Sequence, residues 1–123
     1  MSKTVLIADD EPNIVISLEY LLQREGYRVL VARDGDEALR TIAEQHPDLV
    51  LLDAMMPGRS GFEVCQAVRE DAALQDTRIL MLTAKGRATD VAKGMALGAD
   101  GYMTKPFSTR ELAARVAELL GQP

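Results

Sequence analysis

Cysteine occurs once in this chain, at Cys65, and histidine once, at His46. No internal disulfide can close, and the ligand set of a structural zinc site is missing. One thiol with nothing to pair with suits a reduced, cytoplasmic setting. No run approaches the roughly 20 apolar residues of a membrane span. The opening Met1-Ser2-Lys3-Thr4 leads into an apolar segment without a signal-peptide pattern. Basic residues are in deficit, 14 against 19 acidic, and the net charge of −5 argues against nucleic acid as the main partner. Linkers, internal repeats and low-complexity segments are also lacking, so the 123 residues read as one domain over 1–123, with 47% hydrophobic content to fill one core.

The most apolar stretch is Leu49-Val50-Leu51-Leu52, which has the look of a strand buried on both faces of a parallel sheet. It runs directly into Asp53, and Pro57, Gly58 and Gly61 then turn the chain. In an open α/β sheet the carboxyl ends of the strands are where ligands bind. Many strands end in Asp, so Asp53 gains meaning only from its company.

Thr4–Ala8 reads as a first strand, ending in Asp9-Asp10-Glu11, with Pro12 suited to a first helical turn. Ile14, Leu18, Leu21 and Leu22 follow at helical spacing, and Gly26 stops that helix. Tyr27–Ala32 is a second strand. Asp34 and Glu37 read as a cap and its partner for a helix with Ala38, Leu39, Ile42 and Ala43 inward, ended by Pro47. Phe62, Cys65 and Val68 share one face of a third helix over about 61–70, and residues 71–77 form a polar connection. A fourth strand at Ile79–Leu82 leads into Thr83-Ala84-Lys85-Gly86. Its helix carries Val91, Ala92 and Met95 and closes at Gly98, with Gly94 a weak point inside it. Gly101–Thr104 is a short fifth strand broken by Lys105-Pro106. Ser108 and Glu111 cap a last helix bearing Leu112, Val116, Leu119 and Leu120.

Strands and helices in strict alternation predict an α/β fold, a five-stranded parallel sheet with helices on both faces and flavodoxin-like order 2-1-3-4-5. Asp9, Asp10 and Asp53 would then meet at the switch point, with Thr83 and Lys105 arriving from the fourth and fifth strands. Crowded carboxylates repel and call for a cation, and all-oxygen ligands suit Mg²⁺. Asp53 beside such an ion is a candidate nucleophile toward a phosphoryl group, with Lys105 and Thr83 engaging the phosphoryl oxygens.

These motifs resemble the receiver domain of bacterial two-component response regulators of the chemotaxis-regulator-like kind. They are Asp9-Asp10, Asp53 with Met56-Pro57 and Gly61, Thr83-Ala84, and Lys105-Pro106. The resemblance implies a phosphorelay module in which Asp53 takes a phosphoryl group from a histidine kinase or phosphotransfer protein. It also implies Mg²⁺ on Asp9, Asp10, Asp53 and the backbone carbonyl of Met55, and an aromatic, Tyr102, that changes rotamer with Thr83 as a switch. A cis Lys105-Pro106 bond aiming Lys105 into the site is implied as well. Such a domain catalyses only its own phosphorylation and dephosphorylation. It signals through a protein partner at the face of the fourth helix, fifth strand and last helix, with homodimerisation on phosphorylation open. Whether the chain stands alone or is cut from a longer regulator or hybrid kinase is also open.

Ser60 stands where many relatives carry an acid, at a loop position that leaves the chemistry intact. Met55 and Lys85 are variable positions associated with phosphoryl lifetime. Cys65, Met81, Met95 and Met103 read as core, His46 as a surface residue, and Arg110 and Arg115 as a solvated face. Two rival classes fare poorly. A Mg-dependent phosphatase of the haloacid dehalogenase type would place a second Asp two residues after Asp53, where Met55 stands. A flavin or nucleotide module would need a Gly- or Ser/Thr-rich phosphate loop after the first strand, where Asp9-Asp10-Glu11 would repel phosphate.

Overall fold

The apolar run at 49–52 is the middle of the sheet. In the computed structural model, which describes residues 3–84 and 88–121, it forms β3 (Leu49–Asp53), with all five residues buried. Around it lie β1 (Thr4–Ala8), α1 (Pro12–Arg24), β2 (Arg28–Ala32), α2 (Gly35–Gln45), α3 (Gly61–Glu70), β4 (Arg78–Ala84), α4 (Ala88–Ala96), β5 (Gly101–Lys105) and α5 (Thr109–Leu119). The strands are all parallel, in the order β2-β1-β3-β4-β5. This is the expected flavodoxin-like architecture.

Alternation along the strands divides the core in two. Val50 and Leu52 face one cluster with Ile42, Phe62, Cys65, Val68 and Met81. Leu49 and Leu51 face the other, with Leu18, Leu22, Leu80, Leu112 and Val116. Thus α2, α3 and the end of α4 cover one face, and α1 and α5 the other. Each fully buried side chain of β3 contributes about 1.5–3 kcal/mol, so this strand anchors both layers.

Several expectations are corrected. Ala43 is exposed rather than inward, because α2 buries Gly35, Ala38 and Ile42. On α4, Ala92 is exposed and Met95 is 43% exposed. The buried positions there are Asp90 and Gly94. Gly94 is a close-packing position, since a Cβ on it would lie 3.2 Å from the Met81 side chain. Tyr27 falls outside β2, and β5 extends to Lys105. The connection at 71–77 holds a 3₁₀ turn, Ala72–Leu74, that buries Leu74. His46, exposed as expected, also closes α2 with a left-handed φ of 47°. Arg115 leans against Gly101 instead of standing free in solvent.

One polar tie fixes the far side of the molecule. Arg69 Nε donates to the Gly98 carbonyl at 2.8 Å and Arg69 Nη2 to Asp100 Oδ2 at 2.8 Å. Asp100 Oδ2 also accepts from the Ile79 N–H at 2.7 Å. Together they join α3, β4 and the turn into β5.

Candidate functional site

Register brings the site together. Ala8 pairs with Leu52, so the residues that follow, Asp9 and Asp53, emerge side by side. Asp53 pairs with Leu82, one residue before Thr83, and Ala84 pairs with Lys105. Ligand oxygens of Asp9, Asp10 and Asp53 all lie within 4.8 Å of one another. Asp9 is fully buried, Asp53 is 6% exposed, and Asp10 is open to solvent.

Each buried carboxylate is partly satisfied from its own loop. Asp9 Oδ1 accepts from the Glu11 N–H at 2.9 Å, and Asp53 Oδ1 accepts from the Met55 N–H at 3.2 Å. The second oxygens face Lys105, whose Nζ lies 3.0 Å from Asp9 Oδ2 and 3.5 Å from Asp53 Oδ2. Lys105 also reaches Glu11 Oε1 at 3.0 Å. The Lys105–Pro106 bond is cis.

Crowding falls on Asp53. Its carboxyl is pushed from 3.8 up to about 6, chiefly by burial and then by the Asp9 charge, with Asp10 adding a little. The Met55 N–H and the Lys105 ammonium pull the other way without cancelling the rise. For Lys105, burial works against the charge, but its close contacts to Asp9 and Glu11 and the fields of Asp53 and Asp9 outweigh it, leaving the ammonium above its ordinary value.

Thr83 lies beneath this group, 1% exposed, and its Oγ1 makes no hydrogen bond among the described residues. A buried hydroxyl without a partner has an unmet demand that an anionic oxygen at the strand ends could meet. Tyr102 is 46% exposed, its ring on the outer surface of β5. Met55 is 58% exposed at the mouth of the site. Lys85 lies outside the described residues.

The donor set suits a small hard cation. Three carboxylates converge, burial and the Asp9 charge raise the pKa of Asp53 among them, and exposed Asp10 leaves room for the waters that Mg²⁺ keeps.

Two contributors went unnoticed in the sequence. Ser60 is the N-cap of α3: its Oγ accepts from the Glu63 N–H at 3.3 Å, and Glu63 accepts from the Ser60 N–H at 3.2 Å. The Ser-x-x-Glu spacing of a capping box was there to be read. The Glu11–Lys105 pair left no such signal, because its partners are 94 residues apart.

Similarity to known proteins agrees with this geometry. The family model of the response regulator receiver domain matches residues 5–117. The chain is 49% identical over 120 residues to the alkaline phosphatase synthesis transcriptional regulatory protein PhoP of Bacillus subtilis, covering 98% of this chain and 49% of that protein. It therefore spans about half the length of that relative. The chemotaxis response regulator CheY4 of Vibrio cholerae superposes with a TM-score of 0.91 at 34% identity, covering 97% of this chain and 99% of that one. The BeF3-activated DrrB receiver domain superposes with a TM-score of 0.89 at 34% identity, over 99% of this chain and all of that one. A family match over almost the whole length, with the strand-end acids, threonine and lysine in one crevice, leaves a single assignment: the chain belongs to the response regulator receiver domain family.

Proposed function

We propose that the chain is a single receiver domain over residues 1–123 that accepts a phosphoryl group on Asp53 from a histidine kinase or phosphotransfer protein. It then signals by changed protein contacts, working in the cytoplasm. The observation that carries this reading is the convergence of four strand ends on one buried carboxylate, with Lys105 beside it and a buried Thr83 hydroxyl that makes no hydrogen bond among the described residues. Asp53 Oδ2 attacks phosphorus, and the bond from phosphorus to the donor nitrogen, or to the acetate oxygen of acetyl phosphate, breaks as the new P–O bond forms. The attacking form is the carboxylate, which predominates near neutral pH for a group at about 6. Lys105 places its ammonium against the phosphoryl oxygens, and Thr83 donates its hydroxyl to one of them. Mg²⁺, held by Asp9, Asp10, Asp53 and the Met55 carbonyl, supplies further charge neutralisation when bound. Turnover on a free substrate is not part of this role. The phosphatase alternative finds no second Asp in the loop, where Met55 stands exposed.

Incubation with acetyl phosphate and Mg²⁺ is expected to add one phosphoryl group by mass, absent from Asp53→Asn. Unchanged labelling of that variant would move the site elsewhere.

Signalling is proposed to run through Thr83 and Tyr102. As Thr83 follows a phosphoryl oxygen, the space it leaves can admit the Tyr102 ring, remodelling the face of α4, β5 and α5. A partner docks on that face, and a homodimer is one such partner. The phosphoryl group can shift this equilibrium only by its differential affinity for the two states. Amide spectra with and without beryllofluoride are expected to change across residues 88–115. Changes confined to the Asp53 pocket would refute the coupling.

A further inference from the structure

Among the described residues, Lys105 is the one cation paired with the site carboxylates, and it is shared among three of them. An ammonium has three N–H donors. Here Nζ lies 3.0 Å from Asp9 Oδ2, 3.0 Å from Glu11 Oε1 and 3.5 Å from Asp53 Oδ2, and of these the Glu11 contact is the one with hydrogen-bond geometry. The two short contacts go to residues that are not the phosphoacceptor, and the contact to Asp53 is beyond ordinary hydrogen-bond length. A phosphoryl group on Asp53 needs Lys105 closer, so a present partner has to yield. Asp9 is fully buried, so water is a poor substitute for the ammonium beside it. The Glu11 carboxylate is 58% exposed, and water can take over its hydrogen bonds at little cost.

We infer that Glu11 is a positioning residue that competes with the phosphoryl group for Lys105: it draws the ammonium away from Asp53 in the unmodified protein and releases it on phosphorylation. Glu11 is free for this because it does not cap its own helix: as N-cap of α1 its side chain makes no cap hydrogen bond. The pair bridges the start of α1 to the end of β5, so phosphorylation also unties those two elements. The inference rests on the reading of Asp53 as phosphoacceptor.

The test titrates beryllofluoride into wild type, Glu11→Gln, Glu11→Asp, Glu44→Gln and Asp53→Asn, followed by amide spectra. Mg²⁺ is first titrated alone, so that it is saturating for each protein. Glu11→Gln is expected to bind about three- to tenfold tighter, the scale of one charge-assisted hydrogen bond with an exposed partner. Glu11→Asp keeps the charge but shortens its reach, and is expected to tighten binding by less. Glu44→Gln, a charge removed from the exposed surface of α2, is expected to match wild type. In carbon-detected spectra of wild type, the Glu11 side-chain carboxyl resonance is expected to shift on saturation. Unchanged or weaker binding by Glu11→Gln overturns the inference. So does tightening in Glu11→Gln with Glu11→Asp at the wild-type value, which would make the effect one of field and not of competition for an N–H. Wild-type affinity in Asp53→Asn would instead overturn the phosphoacceptor itself.

Discussion

Asp53 shares a crevice with two other carboxylates and one ammonium, and its raised pKa records which of those influences wins. Burial and the Asp9 charge outweigh Lys105, whose shorter contacts go to Asp9 and Glu11. The folded protein therefore holds a proton on this side chain more tightly than the unfolded chain does. That contribution to stability is complete below about pH 4 and is lost as pH rises through about 6, with an upper bound of about 3 kcal/mol. Asp53→Asn keeps the shape and removes the charge. In chelator, its stability advantage over wild type is expected to grow as pH rises from about 4 to about 7. Urea melts across that range check it, and a constant difference would mean the Met55 N–H and Lys105 already satisfy the carboxylate.

At the scale of elements, the loop after β3 is held by a cap and a close contact. Ser60 and Glu63 satisfy each other's backbone N–H groups at the start of α3, so Ser60→Ala is expected to cost about 1 kcal/mol with the site unchanged. Gly61 is a different case. Its φ is not positive, but a Cβ there would collide with the backbone of Asp53 and Ala54. Gly61→Ala must therefore push on the strand end that carries Asp53. It is expected to cost more than Ser60→Ala, about 2 kcal/mol or above, and to slow phosphorylation of Asp53 by acetyl phosphate as well. Melts paired with labelling rates separate the two. Equal loss of labelling in both variants would show that α3 stability alone governs the site.

For the whole molecule, the proposed Mg²⁺ site is expected to couple metal binding to folding. Mg²⁺ that binds only the folded state is expected to stabilise it by about 2.7 kcal/mol at a hundredfold excess over its dissociation constant, and Asp10→Asn is expected to lose most of that gain. Melts with EDTA and with Mg²⁺ decide it, and an undiminished gain in the variant would remove Asp10 from the ligand set. Asp10 is exposed, so its own removal in chelator is expected to stabilise less than Asp53→Asn does. Much of this was legible in the chain. Alternation of short apolar runs with 3.6-period helices determines a parallel layered sheet, because each run must be covered on both faces. The placement of Asp9, Asp53, Thr83 and Lys105 at strand ends follows from that same periodicity. Other features depended on distances between residues remote in sequence. Which face α4 buries was settled by the approach of Gly94 to Met81, so Met95 points outward against its apolar character. Which carboxylate bears the crowding, and that Glu11 holds Lys105, depend on where one flexible ammonium comes to rest among three acids. Periodicity decides which side of an element is buried; only packing decides which buried charges touch.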